Sequence, residues 1–382
     1  MIQTLLVYLL LLFIMVFLTS LSAKYNDEEG SYLFKNFLNG PVIFSIILFS
    51  VIFGMRYNVG IDHLSYLKDY EELKLYHISD QRYELGYVFV ANLFANLSLH
   101  YSIFFTFLAY IQIFFLFLAF KNYRDVLPFV VMTFILGCVF LTFMNGMRQQ
   151  IAFCIFVFSI EYIRSKKLIP YFVLIFLAFL FHKTAIILLP LYFLFQFKGF
   201  HFQNIKVQLI LLILALIILY INVFENLFNS LDVLINLFGY DKYIDLIDKD
   251  DSLLNSLDRG RGVGFYIILM IDVILIANSN NVKSYFKDTI FPIIYDLYFF
   301  GVVYGYITNG SNLLSRPNDY FFGFKFIVAA FSLLYYFRRK DSGKRDKALF
   351  YILLGLYVLT FAGVMFRMKE NTAFFTFFWQ VG

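Results

Sequence analysis

Phe53-Gly-Met-Arg-Tyr-Asn-Val-Gly-Ile-Asp-His-Leu-Ser-Tyr66 decides how this chain is read. It begins where an apolar run ends. Within the eleven residues from Arg56 it then offers a guanidinium (Arg56), a turn glycine (Gly60), a carboxylate (Asp62), an imidazole (His63) and a phenol (Tyr66). That is dense polar chemistry at the lip of a bilayer. Three further polar islands recur between later apolar spans: Asn145 to Gln150, His182-Lys183-Thr184, and Arg316 to Tyr320. Their recurrence predicts convergence on one site at one membrane face.

The composition sets the class. Of 382 residues, 61% are hydrophobic and only 15% charged, with 53 Phe and 29 Tyr, and the mean hydropathy is +0.75. A soluble domain has no use for so much apolar surface, so the chain reads as an all-α, polytopic integral membrane protein with one transmembrane domain over 1–382. The net charge of +5 is not a nucleic-acid footprint, because basic residues in such a protein mark cytoplasmic loops. Cys138 and Cys154 lie in apolar stretches without ligand spacing and read as small buried hydrophobes. The first apolar run lacks a basic start and a small-residue cleavage site, and reads as a retained span.

Apolar runs place spans near 2–21, 41–55, 101–120, 127–144, 149–163, 169–181, 185–197, 207–224, 263–277, 288–307, 320–337 and 347–366, about twelve in all. The pair 169–181 and 185–197 reads as a broken or re-entrant unit around His182. Basic short loops (Lys121/Arg124, Arg164 to Lys167, Lys198/Lys206, Lys283/Lys287, Arg338 to Lys347) face the cytoplasm by the positive-inside rule. The opposite face then receives 56–100, 145–148, 182–184, 225–262, 308–319 and the C-terminus. All four islands fall on that outer face. Residues 82–100 are too short and too interrupted by Asn92 and Asn96 to cross, and predict an interfacial helix. The loop 225–262 is acidic up to Asp258-Arg-Gly-Arg-Gly262 and is long enough to cap a cavity. Asn278-Ser-Asn-Asn281 reads as loop.

Each polar group has a plain reading beside the functional one. A lone arginine at a span end is usually a snorkelling anchor. Arg56 departs from that, because it lies on the cation-poor face and is followed by Asp62, its ion-pair partner or a base. Tyr66, four residues after Asp62, shares its helix face; His63 is more ambiguous. Arg148 opens a helix whose N-terminus already favours anions, so it is badly placed unless an anion sits between the two. Gln149 and Gln150 are hydrogen-bonding groups of the same pocket or simple helix-start residues. His182 between apolar runs is either hydrogen-bonded across helices or functional, and Lys183 assists an anion or snorkels. Pro317 predicts an extended Arg316 leading into a helix, with Asp319 and Tyr320 following. Arg259 and Arg261 complete the outer cations. Arginines gathered with a histidine match a multiply charged, lipid-anchored anion, since arginine binds phosphate bidentately and stays charged. No P-loop, HExxH, CxxC or nucleotide fingerprint is present in the sequence.

These islands resemble the EpsG-like family, which contains exopolysaccharide proteins and polymerases of the Wzy type. The resemblance rests on Arg56, Gly60, Asp62 and Tyr66 after the second span. It rests also on Asn145, Arg148, Gln149 and Ala152, on His182-Lys183-Thr184-Ala185, and on Arg316 with Tyr320-Phe321. It implies a GT-C-like, metal-independent glycosyltransferase without a cofactor, in a bacterial inner membrane, with its site facing the periplasm. Undecaprenyl-diphosphate-linked oligosaccharide repeats would be joined and undecaprenyl diphosphate released. Membrane lipids and a chain-length regulator protein are the implied partners; nucleic acid is not. Arg56, Arg148 and Arg316 would clamp the diphosphate, and Asp62 or His182 would take the acceptor proton.

Two alternatives stay open at this stage. An O-antigen ligase or another lipid-linked transferase shares the layout. A flippase would carry cations deep in many spans, whereas 101–120, 207–224 and 320–337 are largely uncharged.

Overall fold

The computed structural model describes residues 2–24, 37–76, 83–197, 201–221, 262–308, 316–341, 343–367 and 374–380. They are nearly all helical and fall into two compact units, 1–200 with 329–382, and 201–328. Among the described residues, five helices are long and apolar enough to cross a membrane, or seven if each of two bent pairs is one span.

In the first unit, α1 (Ile2–Ala23) packs on α2 (Gly40–Gly54), which follows the short Asn39 cap: its Oδ1 accepts from Val42 N at 3.1 Å. Two helices, α3 (His63–Tyr76) and α4 (Leu85–Asn96), then lie where the sequence predicted one. The 12 residues of α4 extend about 18 Å, short of the roughly 30 Å hydrocarbon layer. Tyr87, Val90, Ala91 and Ala95 are buried on one face of it, while Leu85, Phe89 and Leu93 are exposed on the other.

α5 (Tyr101–Ala119) is the central helix, packed on α2 and on α8 (Met147–Arg164). Between them the expected single span 127–144 is two helices, α6 (Leu127–Leu136) and α7 (Val139–Asn145), bent by 71°. The bend sits at Gly137-Cys138, with Cys138 in the left-handed region at φ 55°. An aromatic ladder fills the inside of the bend: Phe49 lies 5.8 Å from Phe134, Phe134 4.8 Å from Phe143, and Tyr8 4.6 Å from Phe140. Apolar side chains on the outside, such as Leu10, Phe13, Phe17, Ile43 and Phe44, remain exposed, as lipid contact requires.

After α9 (Leu168–Phe181) the chain reverses at His182, whose backbone is extended (φ −154°, ψ 114°). It returns as a 3-10 segment, Lys183–Leu188, and a single turn, α10 (Leu191–Leu194). Tyr171 donates to Leu188 O at 2.6 Å, and Gln196 Nε2 donates to Ile163 O at 3.2 Å. The return leg therefore runs back along α9 to the far end of α8. A 3-10 helix rises about 2 Å per residue against 1.5 Å for an α-helix, so fewer residues cover the distance. That same end carries the ion pairs of Glu161 with Arg164 and, on the next helices, Asp125 with Arg338.

In the second unit, α11 (Ile205–Ile221) packs on α12 (Val263–Ala277) and α14 (Phe291–Thr308). The helix α13 (Ser279–Tyr285) leaves α12 at 55°, so Asn278 to Asn281 are a helical corner, not a loop. Asn278 makes that corner by donating from Nδ2 to Ile274 O at 2.9 Å, answering a carbonyl at the helix end. Arg316–Asn318 form a 3-10 turn before α15 (Asp319–Phe322), where an extended Arg316 was expected; the fixed φ of Pro317 suits the first turn of a helix. Two carboxylates are buried here. Asp296 meets His201 and Lys283. Asp272 accepts from Tyr298, Tyr306 and Lys325 at 2.8, 2.9 and 2.9 Å. Lys325 belongs to α16 (Phe324–Arg339), which continues into the first unit, where α17 (Lys344–Arg367) follows.

Candidate functional site

The site in the first unit is built on a helix break. α7 ends at Asn145 and α8 starts at Met147, with Gly146 between them at ψ 57°. A break leaves carbonyls without helical partners, and a bundle interior must supply donors for them. Gln112 Nε2 donates to Phe143 O at 3.2 Å and Met147 O at 3.0 Å. Arg56 Nη2 donates to Met144 O at 2.8 Å. The same guanidinium reaches Phe53 O at the end of α2 (2.5 Å) and Val59 O (3.3 Å). Arg56 is fully buried, with Phe53 and Phe105 rings 4.9 and 5.5 Å from its Cζ. Burial pulls its pKa down to about 10, so it stays charged at neutral pH. Its donors thus face the protein's own backbone, and it joins α2, the following turn and the α7–α8 break. The two-residue strand β1 (Arg56–Tyr57) also pairs antiparallel with β2 (Thr376–Phe377), seating the C-terminal segment on this loop.

Gly60, at φ +96°, turns the chain so that Asp62 N can donate to Asn145 Oδ1 at 2.9 Å. Asp62 is exposed at the head of α3. His63, beside it, is fully buried against Tyr57, Tyr101 and Phe105, and among the described residues neither ring nitrogen has a hydrogen-bond partner. Burial, with the Arg56 cation adding to it, holds the imidazole down to about 3 from its ordinary 6.5. The unfolded chain therefore takes up this proton first. Stability contributed by neutral His63 is whole above about 6.5 and declines as pH falls toward about 3. His63→Phe keeps the ring and removes two unsatisfied nitrogens, and is expected to stabilise the protein by about 1–2 kcal/mol. Melting in detergent from pH 7.5 to 4.5 should also show a shallower pH slope for the variant; an unchanged slope would remove His63 from this account.

Glu84 is the hub of the site, at 7% exposure. It is the residue before α4, and its carboxylate meets two other chain starts. Oε1 accepts from Lys183 N, the first residue of the 3-10 return leg, at 3.2 Å. Oε2 pairs with Arg148 Nη1 in the first turn of α8. His182 Nδ1 lies 3.4 Å from Oε1. Burial alone would raise this carboxyl; the His182 contact, the Arg148 cation and the backbone N–H groups of Glu84 and Lys183 outweigh it and hold it down to about 2. The anion that the position of Arg148 called for is thus Glu84 of the chain itself. Arg148 Nε also donates to Tyr66 OH at 3.2 Å, and its Cζ lies 4.5 Å from the Tyr83 ring and 5.7 Å from that of Tyr87. Among the described residues no acceptor faces Nη2. Arg148 is therefore held at Nε and Nη1, with Nη2 left to meet an anion.

Close packing sets this geometry. A Cβ at Gly86 would come 2.7 Å from Leu180 O, so only glycine lets α4 lie against the end of α9. Gly86→Ala is expected to push Glu84 away from Lys183 and His182. It should destabilise by about 1–3 kcal/mol, as overpacking does, and lower any activity of the site more than its melting temperature suggests.

Three of the four sequence islands are brought together here: Asp62 and Tyr66, Arg148, and His182 with the backbone of Lys183. Gln149 is half-buried one residue on, and the Lys183 side chain is exposed. The fourth island, with exposed Asp319 and buried Tyr320, belongs to the second unit. Arg259 and Arg261, and the proposed capping loop as far as residue 261, lie outside the described residues. Glu84 was missed in the sequence. The signal was present, since a cation at a helix start on the cation-poor face requires an anion, and Glu84 directly precedes an apolar helix. Among the described residues, no three His, Cys, Asp or Glu side chains come together as a metal cluster.

Fold and site together define an all-helical membrane protein with a carboxylate-buttressed arginine and a histidine at one end of a bundle. The EpsG family model matches residues 40–379, and the chain belongs to the EpsG family. Membership points to a polysaccharide-polymerase-like, glycosyltransferase-like role. No curated protein and no solved structure matches the chain.

Proposed function

We propose that this protein joins undecaprenyl-diphosphate-linked oligosaccharide repeats, at the periplasmic face of a bacterial inner membrane, through a GT-C-like domain of about twelve spans. The observation that carries the reading is Arg148, fixed by Glu84 and Tyr66 with its Nη2 left over. In the reaction, an acceptor hydroxyl oxygen attacks the anomeric carbon of the donor. The carbon–oxygen bond to the diphosphate breaks, and negative charge grows on the leaving group. Arg148 would meet that charge, in a place where its own position is already fixed and needs no reorganisation. The hydroxyl proton would pass to His182 Nε2, and the Glu84 carboxylate, 3.4 Å from Nδ1, would stabilise the imidazolium that forms. Asp62, exposed nearby, is the alternative base. Arg316, Arg259 and Arg261 are proposed as further cations toward the diphosphate, with Asp319 and Tyr320 contacting sugar. Arg56 is a positioning residue in this scheme. A chain-length regulator is the proposed protein partner.

The test is purified protein in detergent with the lipid-linked repeat as sole substrate, resolved by chain length on a gel. A ladder of multiples is expected. His182→Ala should abolish it while Asp62→Ala leaves most of it; the reverse ranking would exchange their roles. Folded protein that gives no ladder from authentic repeat refutes polymerisation, and adding a lipid-core acceptor or sealed liposomes would then separate ligase from flippase.

A further inference from the structure

Where an anion would meet Arg148 is decided by the neighbours of its guanidinium fork. Nε–H donates to Tyr66 OH at 3.2 Å, and Nη1 pairs with Glu84 Oε2. Nη2 carries two hydrogens. One lies at the end of the fork, parallel to a hydrogen of Nη1; the other lies along its side, parallel to Nε–H. Parallel guanidinium donors are spaced to meet two oxygens of one carboxylate or phosphate. An anion at the end position would therefore stand beside the Glu84 carboxylate, a like charge. An anion oxygen at the side position falls beside the Tyr66 oxygen, at hydrogen-bonding separation.

Tyr66 is equipped for that neighbour. Its oxygen already accepts from Arg148, so its own proton remains to be given, and among the described residues nothing takes it. The ring is 5% exposed, stacked on Tyr83 at 6.1 Å and tilted against Tyr87 at 5.9 Å, which holds the hydroxyl in place. Burial raises the phenol above its ordinary 10, against the pull of the Arg148 cation, so the proton is present at neutral pH. Arg148 keeps 19% of its side chain exposed, which leaves an anion a way in.

We propose that Tyr66 is the second donor of the anion seat: Arg148 Nη2 and the Tyr66 hydroxyl take one phosphate oxygen jointly, on the side of the fork away from Glu84. Charge growing on that oxygen as the glycosidic bond breaks then meets two fixed donors. The assignment rests on the polymerase reading for the identity of the anion, a lipid-linked diphosphate, but not for the existence of the seat.

Two binding measurements by phosphorus NMR on the full chain in detergent test it. The probes are farnesyl diphosphate, a short lipid-linked diphosphate, and inorganic pyrophosphate. Tyr66→Phe keeps the ring and should weaken binding about 10- to 100-fold, as loss of one hydrogen bond to a charged group predicts. Tighter binding of the farnesyl ester assigns the seat to a lipid-linked diphosphate; equal binding keeps the seat and removes the lipid. Trifluorotyrosine at position 66, whose phenol titrates well below that of tyrosine, separates donation from mere support of Arg148. Below its titration it should bind as wild type does. Above it the phenolate has no proton to give, and binding should weaken at least about tenfold, although a phenolate accepts from Arg148 better than a phenol. The groups facing this hydroxyl are Arg148, Glu84 and Asp62, with the Tyr83 and Tyr87 rings. From about pH 7.5 to 9.5, burial keeps both of those tyrosines un-ionised, while Glu84 and Arg148 stay charged. Equal binding by wild type and Tyr66→Phe overturns the proposal, as does no binding by wild type or no loss above the titration; a wild-type ladder then leaves polymerisation standing. No ladder from authentic repeat, with both losses of binding seen, refutes polymerisation and upholds the seat.

Discussion

Arg148→Ala is expected to lower the rate of chain extension by about 10²- to 10³-fold, the usual consequence of removing one fixed donor from a developing negative charge. The same substitution strips Glu84 of its cation while the carboxylate stays nearly buried. A buried charge left without its partner costs about 3–5 kcal/mol, so the variant should also melt at a lower temperature. Loss of activity could then be loss of fold, and a second pair of variants separates the two. Arg148→Ala with Glu84→Gln removes both charges and should regain most of the melting temperature. It should regain none of the ladder, because the donor to the diphosphate is still missing. Arg148→Lys keeps the charge but not the fork that reaches Tyr66 and Glu84 together, and should remain at least about tenfold impaired. A double variant that polymerised as well as wild type would place the diphosphate elsewhere.

The reach of the sequence can be judged from such residues. Spans 101–120, 149–163 and 347–366 were legible because an unbroken apolar run has few alternatives to a helix; the helices found are Tyr101–Ala119, Met147–Arg164 and Lys344–Arg367. His182 was legible as a break because an ionisable residue between two apolar runs costs too much to lie inside one helix. The bend at Gly137-Cys138 was not, since one glycine in a run of apolar residues reads as continuous helix. Arg56 was visible as a cation out of place. That its donors meet the carbonyl of Met144, 88 residues away, follows from a tertiary contact that no local pattern encodes. Glu84 escaped for the same reason: its partners Arg148 and Lys183 are 64 and 99 residues distant. Asp272 is different. A lone carboxylate within Val263–Ala277 is a local signal of a partner across helices.

Asp272 therefore carries the second large prediction, on stability. It is fully buried and its two oxygens accept from Tyr298, Tyr306 and Lys325, each within 2.9 Å. Lys325 is itself mostly covered, with its Nζ 4.4 Å from the centre of the Phe322 ring. Lys325→Met retains the length and apolar stem of the side chain and deletes the charge. Asp272 would keep its two phenol donors but lose its counter-ion in a low-dielectric surrounding, and the expected cost is about 3–5 kcal/mol. Asp272→Asn added to Lys325→Met removes the stranded charge, and an asparagine oxygen still accepts from the tyrosines. The double variant should recover most of the loss. Thermal melting of the full chain in one detergent, read for wild type, both single variants and the double, gives the coupling directly. Additive single effects, with the double variant the least stable of the four, would mean that the pair is not held as an ion pair. Recovery in the double would identify Asp272–Lys325 as an interaction kept although neutral groups serve the fold almost as well.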